Sequence, residues 1–263
     1  MMFIPLVVFA FGLLIGSFLN VVILRMNTGR TVVKGRSKCA RCNQVLAWHD
    51  LIPVISFLGL RGKCRQCRAP ISFQYPLVEL TTGIVFVVLY AHLLAPFYFT
   101  MLAWMSFVFS CGIAALLIVI TVYDLKHKII PDMVVYPFIL LAAASMFWKA
   151  VYFPGFGLLQ ALLGGVVVAL PFFLLWFLSK GKLMGFGDVK LALGMGWLLG
   201  FASGMTAVLL SFWFGGAVGL ILLAISRKHS MRSEVPFAPF MITAIFVVGV
   251  WGVMIDTLFP VWL

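Results

Sequence analysis

Two aspartates and four cysteines are the residues of this sequence whose types and spacing could do chemistry. Asp188 lies in Gly185-Phe186-Gly187-Asp188-Val189-Lys190, a carboxylate framed by backbone-permissive glycines and followed by a lysine. Asp124 lies in Val122-Tyr123-Asp124-Leu125-Lys126. Each sits at the mouth of a long apolar run, where an ionisable group is costly enough to be read as functional by default. Two carboxylates held close together cannot both ionise readily; they share a proton, so that one activates a water while the other polarises a carbonyl. That is aspartic peptide hydrolysis, and it needs no metal or covalent intermediate. Glycines at 185 and 187 would let a substrate strand approach the backbone closely. A structural reading stands beside it with equal weight: Asp188 as a helix N-cap, and Asp124 as a solvated helix-end acid paired with Lys126 or Lys128. Asp132, in Ile130-Pro131-Asp132, reads mainly as the N-cap of the next helix.

The cysteines fall as Cys39-x-x-Cys42 and, 21 residues on, Cys64-x-x-Cys67. Two such knuckles present four thiolates at tetrahedral reach, the ligand set of a structural zinc site. Lys38, Arg41, Lys63, Arg65 and Arg68 flank them and favour the thiolate form. A haem attachment is excluded, because Asn43 and Arg68 rather than His follow the second cysteines. His49 is a weaker candidate ligand. Four unligated thiols are the bland alternative, but a loop this small cannot build its own core and a metal would substitute for one. Cys111, inside an apolar run, reads as an inert core thiol.

Membrane helices must position these groups. The 263 residues are 64% hydrophobic and 10% charged, with a mean hydropathy of +1.17. Apolar runs fall at 3–24, 76–95, 100–122, 133–151, 157–178, 189–202, 204–226 and 236–258, which predicts an all-α polytopic membrane protein with about eight transmembrane helices. The first run lacks a basic n-region and a small-residue cleavage site, and reads as a retained helix rather than a signal peptide. With the N-terminus outside, 18 of the 19 basic residues fall in inside loops and only Lys149 lies outside, which orients the chain with both termini external. Asp124 then leaves the third span and Asp188 enters the sixth at the same leaflet. Asp256 belongs to the outer end of the last span. The cysteine loop lies in the reducing cytosol, which argues against disulfides. The expected organisation is a first transmembrane helix (1–24), a cytosolic zinc-binding loop (25–75) and a seven-helix membrane domain (76–263). No internal repeat is evident.

The net charge of +12 lacks the aromatic-plus-basic groove pattern of nucleic-acid binding, and no nucleic-acid partner is expected. Gly185-Phe186-Gly187 has no third glycine and no preceding strand, so a dinucleotide site is not indicated. Serine nucleophile constellations and HExxH spacing are absent. A polytopic transporter with a cytosolic zinc module remains the alternative from another class, since intramembrane acids also carry ions.

The ordered set of motifs resembles the type IV prepilin leader peptidases, bifunctional membrane enzymes acting on type IV prepilins and type II secretion pseudopilins. The likeness runs through Gly16-Ser17-Phe18-Leu19-Asn20-Val21-Val22, both cysteine knuckles with Ile52-Pro53 between them, and Arg61-Gly62-Lys63-Cys64-Arg65. It continues through Ile71-Ser72, Tyr75-Pro76-Leu77-Val78-Glu79-Leu80, Asp124-Leu125 with Ile130-Pro131-Asp132, Gly185 to Leu191, and Pro236-Phe237-Ala238-Pro239-Phe240. The resemblance implies a membrane aspartic peptidase of the GxGD type in the bacterial inner membrane, with Asp124 and Asp188 as the catalytic pair. It implies cleavage of a basic leader after a glycine at the cytosolic face. It also implies N-methylation of the new terminus with S-adenosylmethionine, associated with the cysteine-bearing region; a peptidase without methylation is the alternative within the family. Glu79 is a candidate for the methyl-donor or substrate region, with a helix-start acid as its plain alternative. Lys190 would tune Asp188 or extend to the headgroups. Two positions depart from the family pattern, Leu183 where many relatives carry an acid and Ala238 where glycine is usual.

Overall fold

The computed structural model describes residues 3–29, 31–32, 35–94, 100–152, 157–225 and 235–252. Among these the fold is helical, and the only β pairing is two isolated antiparallel bridges, Lys38 with Val45 and Lys63 with Pro70. Nine α-helices are described: α1 (Phe3–Arg25), α2 (Ile55–Gly59), α3 (Gln74–Leu89, continued by a π-turn over Tyr90–Leu94), α4 (Met101–His127) and α5 (Asp132–Tyr152). They continue with α6 (Leu158–Ser179), α7 (Phe186–Leu199), α8 (Phe201–Ile225) and α9 (Ala238–Trp251). Apart from the one-turn α2, they coincide with the eight apolar runs. Six of them are long and apolar enough to cross a membrane: α1, α3 with its extension, α4, α5, α6 and α8. α7 and the described part of α9 have 14 residues each, a rise of ~21 Å against ~30 Å of hydrocarbon. Asp256 lies outside the described residues.

The chain divides into two compact units, Met1–Val119 and Ile120–Leu263, with the boundary inside α4. In the first unit α1 packs on α3. The contact is set by small residues, because lipid offers no hydrophobic drive and close backbone approach supplies the packing instead. A Cβ on Gly16 would stand 2.7 Å from the Glu79 Cα, and one on Gly12 would stand 2.7 Å from the Gly83 Cα. Asn20, buried between the two helices, donates to the carbonyls of Gly16 (3.3 Å) and Tyr75 (3.1 Å) and accepts from Gln74 Nε2 (3.3 Å). The outer face of α1 carries exposed Phe3, Val7, Phe11, Leu14 and Phe18, the period of a lipid-facing stripe.

In the second unit α7 is the shared element, packed on α5, α6, α8 and α9. A Cβ on Gly194 would collide with the Phe138 ring of α5, so the two backbones lie close. Their ends are tied twice: Lys190 of α7 pairs with Asp132 at the start of α5 (2.5 Å), and Lys149 of α5 donates to the Leu198 carbonyl of α7 (2.8 Å). α5 and α7 therefore run parallel. Pro137 and Pro171 sit inside α5 and α6, as membrane helices tolerate when neighbours satisfy the freed backbone.

Candidate active site and metal centre

The four cysteines come together. Their Sγ atoms all lie within 4.8 Å of one another, and the Cys39 and Cys67 sulfurs, one from each knuckle, are 3.9 Å apart. Zn–S bonds of about 2.3 Å in a tetrahedron require S–S edges of ~3.8 Å, so the donor set fits zinc. The two knuckles are built alike. In the first, the Cys39 N–H donates to the Gln44 carbonyl (2.9 Å) and the Asn43 N–H donates back to the Cys39 carbonyl (3.0 Å). In the second, Cys64 donates to Ala69 (2.8 Å) and Arg68 donates to Cys64 (3.0 Å). Asn43 and Arg68 occupy the same left-handed position, with φ of 56° and 57°. This local repeat, Lys-Cys-x-x-Cys at 38–42 and 63–67, corrects the expectation that the chain has none; it is too short to register as a periodicity.

The clustered thiols perturb one another. The backbone N–H groups of Cys42 and Arg41 lower the Cys39 thiol to about 6. At Cys42 the Gln44 backbone N–H favours the thiolate but is outweighed by desolvation and the neighbouring Cys39 and Cys67 thiols, which push it up to about 11. The loop's one acid, Asp50, accepts from Arg65 Nε (3.0 Å) and Nη2 (2.8 Å), which holds its carboxyl below the usual range. That fork ties the second knuckle to the 3₁₀ turn Trp48–Leu51.

Glu79 is buried in α3, and its carboxylate accepts the Val54 N–H (2.8 Å) and the Ser17 hydroxyl. Val54 stands at φ 60°, ψ −50°, and the Ile55 N–H donates to the Pro53 carbonyl at 2.6 Å. This is the rare γ-turn with a positive φ, and a β-branched residue there is strained. Glu79 is therefore no loose helix-start acid: it holds a strained turn of the loop against α1 and α3.

The aspartates lie in the second unit. Asp124 is in the last turn of α4, 5% exposed, which removes the solvated helix-end reading. Its Oδ2 accepts the Ala238 N–H at 3.2 Å. Ala238 is the first residue of α9, with proline directly after it, so its N–H is one of the free donors at the positive end of a helix. Asp188 is in the first turn of α7, three residues past the N-cap Gly185, and that cap position has no side-chain cap hydrogen bond. Its carboxylate instead reaches back to the Gly185 N–H, the acid half of a capping box. It is near enough to Asp124 for the two charges to interact.

Gly187 explains how α7 reaches this place. A Cβ there would stand 2.8 Å from the Ile130 Cβ, so only glycine lets the start of α7 lie against the turn that follows Asp124. Lys190 does not pair with Asp188. It is bound to Asp132 and lies over the Tyr136 and Phe186 rings, at 4.8 and 5.4 Å. Asp132 correspondingly starts α5 with its carboxylate on Lys190.

Sequence reasoning missed the Ala238 N–H, Ile130 and the Val54 turn. The first had a signal in Pro236-Phe237-Ala238-Pro239, the proline signature of a helix start. The other two are contacts between segments distant in sequence.

A family model described as the bacterial peptidase A24 N-terminal domain matches residues 10–93, and one described as the type IV leader peptidase family matches residues 111–220. Curated relatives are called prepilin leader peptidase/N-methyltransferase. The protein from Aeromonas hydrophila is 32% identical over 93% of this chain and 90% of its own length. That from Pseudomonas aeruginosa is 30% identical over 92% and 88%. That from Myxococcus xanthus is 34% identical over 86% of this chain but only 65% of its own length. No solved structure matches the chain.

Proposed function

The chain belongs to the type IV leader peptidase family, and we propose that it is a membrane-embedded aspartic endopeptidase that removes the basic leader of type IV prepilins or pseudopilins. Cleavage falls after a glycine, and the new terminus is then N-methylated. Asp124 and Asp188 are the catalytic pair. One observation supports this: a buried carboxylate at the end of α4 and a second in the first turn of α7 lie within range of each other's charge. A water between them attacks the scissile carbonyl. One carboxylate takes the proton of that water while the other protonates the carbonyl oxygen, and collapse expels the amine with a proton returned from the pair. The pair acts as one titrating unit, held by the amides of Ala238 and Gly185. Gly187 gives α7 its approach, and Lys190 supports the site by locking α7 to α5.

The remaining assignments belong to the same reading. Residues 1–24 are the first membrane helix, 25–75 the metal loop, and 76–263 the membrane domain bearing the peptidase site. Cys39, Cys42, Cys64 and Cys67 hold Zn2+ in a structural role, since four protein ligands leave no open coordination position. S-adenosylmethionine supplies the methyl group, and Glu79 serves that region by holding the loop's strained turn. The loop and the aspartates lie on the cytosolic side of the inner membrane with both termini outside, as the 18 of 19 basic residues support.

The test is cleavage of a prepilin by membranes containing Asp124→Ala or Asp188→Ala. Each variant inserts normally and loses cleavage; turnover retained by either one removes that residue from the pair.

A further inference from the structure

The cysteine loop is tethered at both ends to membrane helices, α1 ending at Arg25 and α3 beginning at Gln74, so it stays close to the bilayer. The outward face of α3 carries Leu77, Leu80 and Ile84, exposed at helical spacing, and Phe73 continues that stripe one turn before it, 69% exposed. The Phe57 ring of α2 packs edge-on against Phe73, with centroids 5.8 Å apart. The short helix α2 therefore sits at the head of a lipid-facing stripe. Its own outward residues are apolar: Ile55 is 67% and Leu58 68% exposed. Trp48 (78%) and Leu51 (41%) add to them from the preceding 3₁₀ turn. One exposed leucine is ordinary, but a cluster of such residues on a short loop marks an interaction surface.

Charge selects the occupant. Between residues 25 and 73 the chain has ten basic residues and a single acid, Asp50, and the fork from Arg65 already engages that acid. Exposed Arg61 and Lys63 follow α2 directly. A tryptophan and aliphatic side chains beside basic residues form the pattern of a segment lying in the bilayer interface, apolar groups among the acyl chains and cations at anionic headgroups. A basic substrate leader is repelled by the same charge.

We propose that segment 48–58 is a membrane-docking element: Trp48, Leu51, Ile55 and Leu58 insert into the leaflet where α1 ends and α3 begins, and the neighbouring basic residues select anionic phospholipid. This holds the metal loop on the bilayer surface, whatever reaction the loop serves.

The test uses the full chain in nanodiscs of phosphatidylcholine, alone or mixed with phosphatidylglycerol. p-Benzoylphenylalanine replaces Ile55 or Leu58, both exposed, and irradiation adducts are identified by mass spectrometry. The same probe at Phe11, on the lipid face of α1, reports that crosslinking works. Phospholipid adducts are expected at 55 and 58, several-fold richer in phosphatidylglycerol discs at low salt and levelling near 1 M salt. Arg61→Gln and Lys63→Gln should each cut that preference up to about five-fold. Adducts at Phe11 with none at 55 and 58 overturn the proposal. So do adducts to a second copy of the chain, or equal yields in the two kinds of disc at low salt.

Discussion

The metal loop and the aspartate site differ in how far apart in sequence their parts lie. Each cysteine knuckle is closed by hydrogen bonds spanning four or five residues, Cys39 with Asn43 and Gln44, and Cys64 with Arg68 and Ala69. The aspartate site joins the end of α4, the start of α7 and the start of α9; its hydrogen bond from Ala238 to Asp124 spans 114 residues. The loop has almost no core of its own, so under the proposed zinc assignment its structure would depend on the cation. The aspartate site is backed by the packed helices α5 to α9, so it fails through displacement rather than unfolding.

The largest expected effect tests the first half of that contrast. Zinc chelation, or Cys64→Ser, takes away a binding free energy that in small zinc domains is about 10–16 kcal/mol and is also their folding energy. Zinc falls below one equivalent by elemental analysis, and amides 37–46 and 62–71 lose their hydrogen-exchange protection. Methyl transfer fails, while prepilin cleavage, which draws on residues of the second unit, is retained. Full loop protection in zinc-free protein would break the comparison.

Gly187→Val tests the second half. The new Cβ meets Ile130, and overpacking of this kind costs about 1–3 kcal/mol. The fold survives, but Asp188 moves away from Asp124, and a shift near 1 Å is enough for a loss of about 100-fold in turnover. Cleavage kinetics should show that loss in kcat with zinc content unchanged. Wild-type turnover in this variant would mean that α7 does not need its approach to Ile130.

These same differences of range decide what was legible in the sequence. The apolar runs announced the helices because membrane length leaves few options, and the cysteine spacing announced the metal set because both knuckles are local. Asp124 and Asp188 were legible as acids at the same leaflet, and the resemblance paired them, yet the hydrogen bond from Ala238 to Asp124 was not legible, because α4 and α9 are brought together by packing. Lys190 was misjudged for the same reason. Its nearest acid in sequence is Asp188, but its partner is Asp132 on α5. Glu79 announced itself only as an acid at a helix start; that it holds the Val54 turn depends on a loop folding back over α3.

Glu79→Ala should have an intermediate effect. It strands the Val54 N–H in a part-buried turn, a cost of about 1–3 kcal/mol, and releases the strained γ-turn. Methyl transfer should fall about ten-fold or more with little change in cleavage, both read by mass spectrometry of the processed pilin terminus. Equal losses in the two activities would assign Glu79 to general packing of α1 on α3.

The smallest effect concerns Asp50, and its sign follows from the direction of its shift. Arg65 holds the Asp50 carboxyl below the ordinary range, so the pair's contribution is fully present above the unfolded value of ~3.9. It is lost only as pH falls through the lower folded value. The Arg65 side chain is 57% exposed, so screening keeps the pair to about 0.2–1 kcal/mol. Asp50→Asn should therefore lower the exchange protection of the Cys64 and Arg68 amides by about two- to five-fold at pH 7. That difference from wild type should persist unchanged between pH 7 and 5. A difference that fades across this interval would mean that something other than the Asp50 carboxylate ties the second knuckle to the 3₁₀ turn, and the loop would then be less locally built than its hydrogen bonds indicate.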